Sequence, residues 1–181
     1  MTKRIILAVS GSISAYKAAD LTSRLKKKGY DVHVIMTEAA QDFITPLTLQ
    51  VLSKNPVHTD VMEEKLAERI NHIDLAKKTD LFIVAPASAN TIAKLAHGMA
   101  DNMLTATALA LPSTTPKLIA PAMNTKMYEN PLTKKNLNTL HDLGYQEILP
   151  KSGLLACGDT GRGALADISV IIESIDNALT K

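Results

Sequence analysis

Apolar residues in this chain fall into short unbroken runs separated by amphipathic stretches, the pattern of doubly buried strands alternating with helices. The first run is Ile5-Ile6-Leu7-Ala8-Val9, followed by the turn Ser10-Gly11-Ser12-Ile13-Ser14. A helical pattern then extends to about Lys28, with Gly29 just past its end, where a left-handed residue is favoured. Val32–Met36 is the second run and ends at Thr37, which completes a βαβ opening. Thr45-Pro46 starts another helix, with threonine at the cap and proline in the first turn, carrying Leu47, Leu49, Val51 and Leu52 to about Ser53. From Asn55 to Ile70 the periodicity weakens to a short strand at Val57-His58 and a charged stretch, expected to be mobile, at Glu63–Arg69. Asn71–Leu75 reads as a loop or extended segment in which Ile73 and Leu75 face inward and His72 and Asp74 share the other side.

Leu81-Phe82-Ile83-Val84-Ala85 has the length of a central strand, ends at Pro86, and leads into a helical pattern at Ile92, Leu95 and Ala96. Ligands of parallel α/β sheets bind at the carboxyl ends of the strands. Small residues here let a flat ligand approach the backbone, and Ser88, Asn90 and Thr91 supply hydrogen bonds. Equally, Ser88 or Asn90 serves as a helix cap alone, and this stretch by itself leaves both readings open. Next come a turn at His97–Asn102 and a small-residue helix, Met103–Leu111, able to pack closely inside the domain or against a neighbouring subunit. The strand Lys117–Ala120 ends at Pro121-Ala122-Met123-Asn124, an echo of Pro86–Asn90 that suggests one pocket lined twice. Asn130-Pro131 caps a helix through Leu143, stopped by Gly144; Glu147–Leu149 is the last strand and Ile168–Leu179 an amphipathic closing helix. Between them Ser152–Asp167, with four glycines, reads as a flexible loop rather than an element. The whole predicts one α/β domain over residues 1–181, a Rossmann-like (flavodoxin-like) parallel sheet with helices on both faces.

A length of 181 residues fits one domain with a real core, and 46% hydrophobic with 21% charged residues is an ordinary globular balance. A net charge of +2 with scattered basic residues excludes a broad field for nucleic acid, and Lys26-Lys27-Lys28 suits a helix end. One cysteine excludes an internal disulfide and fits a reducing compartment. The apolar run after Lys3-Arg4 is too short for a signal peptide or a membrane span, so a cytoplasmic location without membrane contact is expected.

The first turn lacks the G-x-G-x-x-G of dinucleotide binders and offers one glycine and three serines instead. Hydroxyls and helix N–H groups can hold a terminal phosphate, so the turn suits a phosphate monoester such as that of FMN better than NAD. A serine-capped helix is the competing explanation. Cys157 lies at the centre of the glycine-rich segment, and Asp159 beside it disfavours the thiolate. A protonated thiol suits a proton donor better than a nucleophile. His33, His58, His97 and His141 have no supporting motif, and no metal is expected.

Four features coincide: the serine turn Gly11–Ser14, His72-Ile73 before the central strand, PxMNxxM from Pro121 to Met127, and Ala156-Cys157-Gly158-Asp159. Together, over nearly the full chain, they resemble the homo-oligomeric flavin-containing cysteine decarboxylases, and among them the branch that converts 4'-phosphopantothenoylcysteine to 4'-phosphopantetheine in coenzyme A biosynthesis. The resemblance implies that Gly11, Ser12, Ser14 and Thr37 surround the FMN phosphate, while Ser88, Ala89, Asn90, Thr91 and Ala122 contact the rest of the cofactor. It also implies His72 as the base of the oxidative step, Asn124 as the group orienting the substrate, and Cys157 as the later proton donor. Met127, Ala156 and Gly158 would touch substrate, under a flap at about 152–167 that closes and excludes water. A trimer or an assembly of trimers, with His72 reaching a neighbour's flavin pocket, and a separate phosphopantothenoylcysteine synthetase are implied as well. Three positions depart from the family pattern: Tyr128 where tryptophan is frequent, Gly161-Arg162-Gly163-Ala164-Leu165 where G-x-G-R-M is common, and Leu154 at a position often basic or polar. Two alternatives share the resemblance: a peptidyl-cysteine decarboxylase that stops at the enethiol, and a non-enzymatic FMN-binding regulatory subunit.

Overall fold

The structure, a computed structural model, describes residues 2–63, 70–154, 158 and 160–180. Its main sheet comprises β1 (Arg4–Val9), β2 (Asp31–Met36), β3 (Val57–His58), β4 (Leu81–Ala87), β5 (Lys117–Pro121) and β6 (Tyr145–Glu147). All pairings within it are parallel, in the order β3-β2-β1-β4-β5-β6. Counted with its two-residue edge strand this is the Rossmann order; without β3 it is the 2-1-3-4-5 order of flavodoxin. Either way the strand order reverses beside β1 and β4, which opens a crevice at their carboxyl ends.

The helices are α1 (Ala18–Lys27), α2 (Pro46–Ser53), α3 (Asn71–Lys78), α4 (Ala89–Ala96), α5 (Met103–Leu109), α6 (Thr125–Glu129), α7 (Pro131–Asp142) and α8 (Ile168–Leu179). Alternate residues of β1 point to opposite faces, as the period of a strand requires. Ile5, Leu7 and Val9 pack with Leu21 and Leu25 of α1, Leu49 of α2, and Ile171 and Ile175 of α8. Ile6 and Ala8 pack on the other side with Leu75 of α3, Ile92 of α4, Leu104 of α5, and Leu137 and Leu140 of α7. All seven residues of β4 are buried, as expected of a strand covered on both faces.

Several boundaries differ from the sequence expectation. The first helix opens as a 3-10 turn, Ile13–Lys17, because Ser12 accepts from Ser14 N–H and tightens it. β4 continues through Pro86 to Ala87, and α4 starts at Ala89 because Ser88 caps it. Residues 71–78 form α3 rather than a loop: an Asp74–Lys78 ion pair spaced i,i+4 and the buried Leu75-Ala76 give it helical support. The last strand is Tyr145–Glu147, set by the pairing of Lys117 with Tyr145, and not Glu147–Leu149.

Ser152–Asp167 is not a structureless loop either. β7 (Lys151–Leu154) and β8 (Thr160–Ala164) form an antiparallel hairpin. Two of the glycines there, Gly161 and Gly163, serve close approach. A Cβ on Gly163 would lie 2.3 Å from the Met123 carbonyl oxygen, and one on Gly161 2.6 Å from Thr125 Oγ1. Met123 N–H donates to the Gly163 carbonyl at 3.0 Å, so the hairpin docks on the segment following β5. Residues 64–69 of the charged stretch lie outside the described residues. Among the described residues no helix is long and apolar enough to cross a membrane.

Candidate active site

The carboxyl ends of β1, β4 and β5 are fastened to one another by neutral groups. Ser10 is fully buried; its hydroxyl donates to the Pro86 carbonyl at 2.8 Å and accepts from Ser88 N–H at 2.8 Å. Ala122 N–H donates to the Ala87 carbonyl at 3.0 Å. Over this floor lie two adjoining cavities of about 480 and 410 Å³, both within the range of about 300–1,000 Å³ usual for cofactor and small-molecule sites. Gly11, Ser88, Ala89 and Met127 line both. Ser12, Ser14, Ala122 and Asn124 belong to the larger cavity, and Thr37, Asn90 and Thr91 to the smaller. The structure thus gathers at one edge all the residues that the sequence assigned to cofactor contact, together with Asn124 and Met127.

Local chemistry explains each placement. A Cβ on Gly11 would lie 2.7 Å from the Ala39 Cβ, so only glycine lets the first turn pass that close to the segment after β2. Ser12 Oγ accepts from Ser14 N–H at 3.2 Å, Thr37 Oγ1 from Ala40 N–H at 3.3 Å, and Ser88 Oγ from Thr91 N–H at 3.2 Å. Asn124 Oδ1 accepts from Lys126 N–H at 2.8 Å. Ser12, Thr37, Ser88 and Asn124 are therefore each a helix or turn cap, as the plainer reading held for the serine turn and for Ser88, and each lines a cavity as well. A capping hydroxyl keeps further hydrogen-bonding capacity, and the first turn of α4 brings the positive end of a helix dipole to the same place.

Sequence reasoning missed Ile13, Tyr16, Lys17 and Met123, which also line the larger cavity. Lys17 is its one charged side chain among the described residues. It stands at the N-cap of α1, where the helix dipole opposes a cation, and that mismatch was the available signal.

The remaining assigned residues stand apart. His72 sits on α3 and lines neither cavity; its Nδ1 is buried and meets no hydrogen-bond partner among the described residues. Gly158 is exposed in the left-handed region, at φ +85°, and lines neither cavity. Cys157 and Ala156 lie outside the described residues.

Behind the wall of the larger cavity, Tyr128 of α6 is only 2% exposed, and its hydroxyl donates to Glu147 Oε1 at 2.8 Å. Burial, together with this bond and the Glu147 charge, pushes the phenol well above its usual range, against the opposing pull of Arg162 on β8. The Lys134 ammonium stands 3.5 Å from the centroid of the same ring.

A parallel sheet with a crevice of small hydroxyl-bearing residues at its carboxyl edge defines a nucleotide- or flavin-binding α/β protein. The chain belongs to the flavoprotein family, whose model matches residues 1–180. It is 64% identical over 179 residues to a probable phosphopantothenoylcysteine decarboxylase of Streptococcus mutans, covering 99% of this chain and 100% of that one. It is also 50% identical over 171 residues to the coenzyme A biosynthesis bifunctional protein CoaBC of Bacillus subtilis, covering 94% of this chain but 42% of that protein. Among solved structures, a cysteine-to-serine mutant of a PPC decarboxylase complexed with pantothenoylaminoethenethiol superposes with a TM-score of 0.91, at 34% identity and 100% coverage of both chains. The FMN binding protein AtHal3 superposes with a TM-score of 0.86, at 36% identity, over 98% of this chain and 96% of that one.

Proposed function

We propose that the chain is an FMN-dependent decarboxylase that converts 4'-phosphopantothenoylcysteine to 4'-phosphopantetheine in coenzyme A biosynthesis. The observation that carries this reading is the pair of adjoining cavities, both lined by hydroxyl caps of the strand ends and both reaching Met127. The residues fit FMN: Ser12, Ser14, Thr37 and the start of α4 line the two cavities beside the Gly11 turn and offer donors to a phosphate monoester. The similarity to a probable phosphopantothenoylcysteine decarboxylase and to an FMN binding protein supports the same choice.

A cysteine-derived carboxylate does not lose CO2 readily, because the electrons left behind have nowhere to go; bound FMN supplies the two-electron chemistry that creates a sink at the thiol-bearing carbon. The protein places the substrate and manages protons. Asn124, whose Oδ1 is engaged by Lys126 N–H, directs its side-chain amide at the substrate carboxylate or amide. Lys17 offers its ammonium to the substrate's anionic end. Cys157 delivers a proton to carbon when the unsaturated thiol is reduced.

His72 is the base of the oxidative step. It lies outside both cavities of its own chain, which supports an oligomer, a trimer or an assembly of trimers, in which each chain completes a neighbour's site. The single cysteine supports a cytoplasmic setting, where a separate phosphopantothenoylcysteine synthetase would supply the substrate.

Anaerobic incubation of Cys157→Ser with phosphopantothenoylcysteine tests this division of labour. A serine hydroxyl is a far weaker acid than a thiol, so the variant should release CO2, accumulate the unsaturated enethiol and leave the flavin absorbance bleached. Normal saturated product from this variant would show that Cys157 is not the donor. A wild-type protein that stops at the enethiol would instead favour the peptidyl-cysteine type of enzyme.

A further inference from the structure

Helix α6 has only five residues, too few to hold its own shape in water. Yet its start places Asn124 on the wall of the larger cavity, and Met127 on its last turn lines both cavities. Tyr128, one residue on, points the opposite way, into the core with Leu137 and Leu140. Its N–H donates to the Asn124 carbonyl at 3.0 Å, so the backbone that carries the ring is tied to the cap.

We propose that Glu147 is a positioning residue for this site, holding the Tyr128 hydroxyl and through it the helix that presents Asn124 and Met127; the role in substrate binding rests on the function proposed above. Glu147 is the last residue of β6 and is fixed by its pairing with Ile119, so the sheet itself is the anchor point. Its Oε1 accepts from the phenol at 2.8 Å in a partly buried setting, where a charge-assisted bond is stronger than a neutral one. Lys134 of α7 clamps the ring from its face at 3.5 Å. Two elements, β6 and α7, thus converge on one tyrosine of α6, while the hairpin strand β8 packs against the start of α6 through Gly161 and Gly163.

The test uses the FMN-loaded protein and four variants. Tyr128→Phe keeps the ring and its cation contact and removes only the hydroxyl, and Glu147→Ala removes the acceptor. Glu147→Gln keeps an acceptor oxygen. For Tyr128→Phe and Glu147→Ala the KM for phosphopantothenoylcysteine should rise by about tenfold, the scale of one lost hydrogen bond to a charged group. FMN content and kcat should remain close to wild type, the double variant should be no worse than either single one, and Glu147→Gln should restore most of the loss. Amide exchange without substrate should accelerate over residues 124–130 in the same two variants.

An unchanged KM in Tyr128→Phe, loss of FMN from it, or equal damage in Glu147→Gln and Glu147→Ala would each overturn the proposal. If wild type does not act on phosphopantothenoylcysteine, the proposed function fails while the exchange data still decide the anchor. Acceleration confined to 124–130 supports it, and uniform or absent acceleration overturns it.

Discussion

At the edge where the strands begin, Arg4 Nε donates to Asp31 at 2.8 Å, and Asn55 Nδ2 donates to the other Asp31 oxygen at 3.0 Å. His33 Nε2 stands 3.1 Å from the same carboxylate, and Lys3 pairs with Asp80 at 3.0 Å. Asp80 also accepts from Arg4 N–H at 2.8 Å, joining the starts of β1 and β4. At the opposite edge, where the strands end, Ser10 makes the equivalent join with a hydroxyl and backbone groups alone. Charged side chains are long and take up the space they fasten, whereas serine, alanine and glycine fasten the strand ends and leave a cavity above them. The same sheet is therefore closed by charge at one edge and kept open by small neutral residues at the other. Stability and ligand binding should separate along that line.

The largest effect should come from His72→Asn, which removes the proposed base but no cavity-lining group. CO2 release should fall by about 10²–10⁴-fold, the usual worth of a general base, while the visible flavin spectrum is retained. Loss of the flavin or of the fold would make His72 structural instead. Next is Ser10→Ala, which strips Ser88 N–H of its acceptor at a buried site. Leaving such a donor unsatisfied costs about 1–3 kcal/mol, and because Ser88 opens α4, both thermal stability and FMN affinity should drop in parallel titrations. Asp31→Asn is the counterpart at the closed edge. It should lower stability by about 1–2 kcal/mol, since it weakens charge-assisted bonds, and leave FMN affinity untouched; a shift in the FMN Kd would break the comparison.

The smallest effect is the acid dependence of the closed edge. Burial pushes Asp31 up, but the hydrogen bonds from Arg4 and Asn55 and the proximity of His33 outweigh it and hold the carboxyl at about 2. Burial lowers His33, opposed by Asp31 and reinforced by Arg4 and Lys26. Both groups therefore bind fewer protons in the folded chain than in the unfolded one. Stability from His33 is present above its ordinary value of 6.5 and declines as the pH falls through it. Stability from Asp31 is present above 3.8 and is lost on approach to about 2. Denaturant midpoints measured from pH 8 to pH 2 should fall in two steps, and the first should be missing in His33→Gln.

The core was legible because its strands are bare apolar runs: Ile5–Val9 and Leu81–Ala85 admit no other buried element, and Gly29 and Gly144 mark helix ends by their positive φ of 89° and 84°. α3 was hidden because Ile73 and Leu75 alternate over too short a span to separate a period of two from one of 3.6. The hairpin β7–β8 was hidden because the glycines of its second strand, Gly161 and Gly163, are explained by what they press against, Met123 and Thr125, and a sequence does not show such neighbours. The cavity lining was legible where a residue both capped an element and faced a cavity, as Ser12, Thr37, Ser88 and Asn124 do. Tyr16 and Ile13 were not, since an exposed apolar residue in a helical turn carries no mark of what it will cover.

Purified protein loaded with FMN and supplied with phosphopantothenoylcysteine gives the most direct test. Turnover should release CO2 and form 4'-phosphopantetheine, lighter than the substrate by one CO2, with the flavin oxidised at the end. Unchanged substrate in the presence of a protein that holds FMN in full would contradict the proposed function.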